Sequence, residues 1–275
     1  MNDLEPFVAL ATALAPWRTQ VVFVGGWAHR LHRLDIRALS NPGFDAIFTR
    51  DADVAFDGHA RLEGDIRNVL LGAGFREAFY GEDRPPVTQY TLGNEQGGFY
   101  AEFLTPLRGS GVKRGGSVDA TLKKAGINAQ KLRNIEPLML SPWEVTIPKG
   151  LGGAHQDIPG LRVPNPVMFI AQKILIHDVR KRKGKASQDL LYIHDTVQIF
   201  GDQIDSLTAL WSDELAAQLT PEERTAVIGG VGRIFSRVTD DLRDAARIPQ
   251  GRGLNPDEMR EVCEMVLTEI YTGDF

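Results

Sequence analysis

The chain has 275 residues, enough for one large domain or two moderate ones, and its 43% hydrophobic and 24% charged residues exclude disorder or a fibrous repeat as the dominant state. A net charge of −5 excludes a protein that coats nucleic acid through bulk charge, so any polynucleotide contact has to be local. The single cysteine, Cys263, excludes an intrachain disulfide framework and every multi-cysteine zinc site, and points to a reducing cytoplasm.

The stretch FVALATALA at residues 7–15 has the length of a secretion signal, but the segment before it carries Asp3 and Glu5 and no Lys or Arg. An amphipathic first helix is the expectation. No apolar run approaches the ~20 residues a membrane span requires, so no membrane partner is expected. Next, QVVFVGGWAHRLHRL predicts a buried strand at Val21 to Val24, a turn at Gly25 and Gly26, and a short helix from Trp27 to Leu34. Strand, glycine pair and helix is a layout that suits phosphate.

A loop rich in Ser, Asn, Pro and Gly at residues 35–46 leads into TRDADVAF, a strand carrying Asp51 and Asp53. Residues i and i+2 share a strand face, and two like charges that close are unfavourable unless a cation sits between them. A helix is expected from Ala60 to Gly72. Strands follow in FREAFY, VTQYTL and GFYAEFLT, with the spacers at 81–86 and 93–97 reading as hairpin turns. IEPLML and WEVTIP are further strand candidates, and a glycine-rich loop at 150–160 precedes a strand at Leu161 to Val163.

Beyond Pro164 apolar residues fall at helical spacing and strand signals stop. Helices are expected within 164–200, at 213–219, across 221–248 and at 256–271. The fold class is therefore α+β: a mixed-sheet domain over residues 1–164, then a helical domain over 165–275.

Paired carboxylates on one strand face commonly hold a divalent cation such as Mg²⁺, a hard ion that prefers oxygen ligands. Two-metal phosphoryl transfer usually adds a third carboxylate, and Glu102, in a later apolar strand, is the best supplier. The plain alternative puts Asp51 and Asp53 on the solvent face of an edge strand. The pairs His177–Asp178 and His194–Asp195 invite an HD hydrolase reading, and His29 with His32 has zinc spacing, but neither set has supporting ligands. The basic run from Arg180 to Lys185 reads on its own as a solvated helix end.

Taken together, VVFVGGWA, TRDADVAF and YAEFL resemble the nucleotidyltransferase fold shared with DNA polymerase beta. The helical half adds PNPVMFIAQKILIHDVRKRKGKASQDLLYI, similar to the bacterial minimal nucleotidyltransferases and their AbiEii-like toxin relatives. The resemblance implies that Asp51, Asp53 and Glu102 ligate two Mg²⁺ or Mn²⁺ ions, and that the backbone around Gly25 and Gly26 holds an NTP. It gives Lys173 and Lys185 the neutralising of phosphate charge, places Arg180 near the nucleotide, and has Asp189 orient a lysine. The implied reaction moves a nucleoside monophosphate to a hydroxyl on tRNA, another RNA, a protein or a small molecule, and an antitoxin partner belongs to the same implication. Gly26 stands where members often carry serine, and Glu102 where many carry aspartate. A catalytically inactive nucleotide-binding or interaction protein on the same fold is the alternative.

Overall fold

In the computed structural model, which describes residues 4–81, 86–93, 98–113 and 115–273, the chain begins with α1 (Leu4–Ala13). Its apolar face supplies Phe7 and Leu10 to the core, and the Phe7 ring stacks on Trp27 at 4.0 Å between centroids. Contacts divide the chain into two units, Met1–Asp35 with Phe48–Pro164, and Ile36–Ile47 with Asn165–Phe275.

The first unit is built on a mixed sheet. β1 (Val21–Val24) is buried at all four positions and runs directly into α2 (Gly25–His32). β2 (Asp51–Phe56) follows, then α3 (Ile66–Gly72), β3 (Arg76–Tyr80), β4 (Val87–Leu92) and β5 (Phe99–Pro106). The sheet order is β1-β2-β5-β4-β3, with β2 and β5 parallel and the other neighbours in that path antiparallel. The spacers proposed as hairpin turns fall largely at 82–85 and 94–97, outside the described residues.

Two strands were not legible in the sequence. β6 (Thr121–Lys124) and β7 (Ile127–Leu132) form a hairpin, and β7 extends the sheet by pairing parallel to β5. Their two-residue connection, Ala125 and Gly126, has φ of 46° and 79°, the left-handed pair a tight hairpin demands. The lysines, asparagine and glutamine within these strands mask the alternation. IEPLML is corrected from strand to a 3₁₀ turn over Glu136–Met139. Pro137 accounts for this, because a ring nitrogen has no N–H to give a ladder. The helix expected from Ala60 starts at Ile66, where the Asp65 side chain accepts from the Asn68 N–H at 2.9 Å. β8 (Trp143–Ile147) and β9 (Ile158–Val163) form a separate two-stranded sheet.

The second unit is helical: α4 (Pro166–Arg182), α5 (Ala186–Ile199), α6 (Ile204–Leu210), α7 (Pro221–Phe235), α8 (Asp240–Arg247) and α9 (Pro256–Thr272). Caps set these boundaries. Asn165 caps α4, Thr220 and Glu223 form a capping box on α7, and Asn255 caps α9. The single helix expected over 221–248 is two, because Thr239 accepts from the Leu242 N–H and starts α8 afresh. Residues 213–219 form part of a π turn and a 3₁₀ turn rather than an α-helix. The early segment 36–47 joins this unit through the Leu39 N–H, which donates to the Ile199 carbonyl at 2.8 Å. Among the described residues no helix is long and apolar enough to cross a membrane.

Candidate active site

Strand β2 is central, flanked by β1 and β5, so the edge-strand alternative for its aspartates fails. Ala52 and Val54 are fully buried, as are their β5 register partners Ala101 and Phe103. Alternation then puts Asp51 and Asp53 on the opposite face, beside their partners Tyr100 and Glu102. All four side chains on that face are half-buried. Neighbouring strands lie ~4.8 Å apart, so three carboxylates share one small patch.

Polar neighbours hold two of them. The Thr49 hydroxyl donates to Asp51 Oδ1 at 2.5 Å, and the Gln89 amide donates to Glu102 Oε1 at 2.8 Å. Tyr100 is pushed well above the ordinary phenol range, first by burial and then by the negative charges of Asp51, Glu102 and Asp53. Its phenol therefore stays protonated beside the carboxylates. Thr49, Gln89 and Tyr100 were missed in the sequence. Tyr100 had a signal, since it lies two residues before Glu102 and so shares its face.

The glycine turn closes one end of the patch. Val24 pairs with Asp53, so the chain leaves β1 alongside that aspartate. Gly25 has φ of 64°, and a Cβ there would lie 2.5 Å from Asp53 Oδ2. Only glycine fits both constraints. Helix α2 starts at this residue with Val24 as its N-cap and no side-chain cap bond, so the N–H groups of its first turn, Gly26 included, have no side-chain cap competing for them.

The remaining expected residues lie in the helical unit. Lys173 Nζ donates to Asp189 Oδ1 at 2.7 Å and Arg180 Nε donates to Asp189 Oδ2 at 2.5 Å. Lys173 also sits over the rings of Phe169 and Tyr192, at 4.7 and 4.8 Å from their centroids. Burial alone would raise the Asp189 pKa, but the Lys173 and Arg180 charges and hydrogen bonds outweigh it and hold the carboxyl below its ordinary range. The structure thus brings Lys173, Arg180 and Asp189 together, whereas Lys185 is exposed at the N-cap of α5.

The rival sites dissolve into structural pairs. Asp178 accepts from Arg233, Asp195 accepts from Arg252, and His32 Nε2 bonds the Pro164 carbonyl at 2.8 Å. Neither His-Asp pair is left to build a hydrolase centre.

A family model described as nucleotidyltransferase matches residues 6–216, most of the chain and all of the residues above from Gly25 to Asp189. The chain belongs to this nucleotidyltransferase family. Nucleotidyl transfer is therefore its general activity and an NTP its substrate. No curated protein and no solved structure matches it.

For this nucleotidyltransferase the donor set of Asp51, Asp53 and Glu102 has the chemistry a hard divalent cation requires: oxygen only, negatively charged and half-buried. Among the described residues no three His, Cys, Asp or Glu side chains already converge as a metal site, and Asp51 and Glu102 turn instead to Thr49 and Gln89. The backbone register puts Asp53 and Glu102 side by side, with Asp51 on the same face. The side chains would need to swing away from Thr49 and Gln89 to close on a metal.

Proposed function

We propose that this nucleotidyltransferase moves a nucleoside monophosphate from an NTP to a hydroxyl acceptor and releases pyrophosphate, with Mg²⁺ or Mn²⁺ held by Asp51, Asp53 and Glu102. The observation that carries this reading is the parallel register Asp53 to Glu102, with Gly25 packed against Asp53. It puts three carboxylates and an uncapped helix start on one patch.

Bound metal would supply Lewis-acid stabilisation of charge on the transferring phosphate and on the attacking oxygen. Asp51 and Asp53, two apart on one strand, would share the cation, and Glu102 would ligate on the side of the attacking hydroxyl. The N–H groups of Gly25 and Gly26 would donate to phosphate oxygens, which approach closely because neither residue has a side chain. Gln89 would orient Glu102, and Thr49 would orient Asp51. Within the helical unit Lys185 is exposed, while Lys173 is committed to Asp189 and so serves to fix α4 against α5.

The acceptor is proposed only as a hydroxyl, with RNA favoured over a protein or small molecule. The exposed cations Arg182, Lys183 and Lys185 around Gly184 concentrate positive charge on an otherwise acidic chain. The test is incubation with α-³²P-labelled NTPs, Mg²⁺ or Mn²⁺ and total RNA or lysate, beside Asp51→Asn and Asp53→Asn. Metal-dependent label transfer lost in both variants is the expected result. Transfer that survives both would reject the site, and NTP binding without transfer to any acceptor would assign a nucleotide-binding protein instead.

A further inference from the structure

A cavity of about 510 Å³ lies wholly within the helical unit and takes its walls from Phe44, α5, the loop before α9 and the first turns of α9. Its volume is in the range of small-molecule sites. Beside it sits a buried, hydrogen-bonded ion pair that the proposed transfer chemistry does not use. Asp195, fully buried, accepts from Arg252 Nη1 at 2.8 Å and Nη2 at 2.9 Å. The same carboxylate receives His194 Nδ1 at 3.1 Å. Arg252 is fixed further by lying over the Phe44 ring, 3.9 Å from its centroid.

This arrangement decides the tautomer of His194. Carboxylate oxygens only accept, so Nδ1 carries the proton, and in the uncharged form of the ring this leaves Nε2 as an acceptor. His194 is only 6% exposed and lines the cavity. One helical turn further along α5, Gln198 lines the same wall and offers an amide with both donor and acceptor. Glu258 adds an exposed carboxylate at the mouth, and Leu254, Met259 and Val262 give apolar surface.

The electrostatics argue against a phosphate here. Arg252, the one Arg or Lys among the described wall residues, is neutralised by Asp195, and the first turn of α9 carries Asp257 and Glu258 at the end that would otherwise attract an anion. What the walls ask for is a planar, uncharged group that brings N–H donors. An amide such as Gln198 pairs with an amino group beside a ring nitrogen through two hydrogen bonds at once.

We infer that this cavity binds a nucleobase carrying an amino group next to a ring nitrogen, as adenine and cytosine do, with Gln198 reading that edge and His194 and Glu258 accepting N–H donors. The choice of a nucleobase among amino-heterocycles rests on the nucleotidyl-transfer reading; the site itself does not. The base is that of a free nucleoside or of a residue in an RNA strand.

The test uses the full chain with ¹⁵N-labelled histidine, titrated with adenosine and with inosine, which differ at this edge. Adenosine is expected to saturate and to move the His194 Nε2 resonance, with inosine at least about tenfold weaker, as loss of one good hydrogen bond implies. Gln198→Leu and Glu258→Gln should each weaken adenosine about tenfold at unchanged melting temperature. Asp53→Asn should leave adenosine binding intact even where it removes transfer, which separates failure of this site from failure of the catalytic reading. No saturable binding, equal affinity for inosine, or adenosine binding lost in Asp53→Asn but kept in Glu258→Gln would overturn the inference. Tighter binding of single-stranded oligoadenylate than of adenosine supports the site with an RNA strand as the source, and equal affinity supports it with a free nucleoside.

Discussion

Asp53 and Glu102 are register partners on the two parallel central strands, so their carboxylates leave adjacent backbones on the same face. Like charges so placed repel unless a cation is shared, which makes the pair costly to the empty protein and useful to a loaded one. Asp53→Asn keeps size and hydrogen bonding while removing one charge. We expect nucleotidyl transfer to fall by about 10²-fold or more, the scale of removing one transition-state electrostatic contact, with no loss of thermal stability. A turnover assay paired with a thermal melt checks both halves.

The same repulsion predicts a response to metal alone. Mg²⁺ or Mn²⁺ added without NTP should raise the melting temperature of the wild-type chain, since a ligand at 100 times its Kd adds about 2.7 kcal/mol to the folded state. Asp53→Asn should abolish most of that rise. An unchanged wild-type melt across a millimolar titration would remove these carboxylates from consideration as a metal site.

Much of this patch was readable because its signals are local. The run VVFV is a strand at the expected residues, and alternation alone separates Asp51 and Asp53 from Ala52 and Val54. Glu102 was legible as a carboxylate inside an apolar strand. What was not legible depends on partners distant in sequence: Gln89 on Glu102, or Arg252 on Asp195, 57 residues apart. The β6–β7 hairpin was lost for another reason, since its strands carry Lys and Asn where a clean alternation would have shown apolar residues. Helix ends shifted wherever a side-chain cap such as Asp65 or Thr239 overrode periodicity.

Gly25 tests how tightly the turn is coupled to the carboxylates. Gly25→Ala must accept φ of 64° and a methyl group 2.5 Å from Asp53 Oδ2. The backbone alone costs about 1–2 kcal/mol, and the contact forces Asp53 to rotate. Denaturant unfolding should show at least that loss. Transfer should fall further than stability explains, because both the carboxylate and the first N–H groups of α2 are displaced together.

Asp189 carries a pH dependence whose sign follows from its environment. Its folded carboxyl is held below the ordinary value of 3.8, so the unfolded chain binds this proton at higher pH than the folded chain does. The resulting stability is complete above the unfolded value and is lost as pH falls through the folded one. Asp189→Asn leaves Lys173 and Arg180 without their carboxylate, and breaking a buried ion pair from one side costs about 3–5 kcal/mol. Denaturant midpoints measured from pH 7 to pH 3 should therefore differ most between wild type and Asp189→Asn at neutral pH, and the gap should narrow once pH falls below the unfolded value of 3.8. A gap that stays constant down to pH 3 would show that packing of α4 on α5, rather than the charge on Asp189, is what the substitution removed.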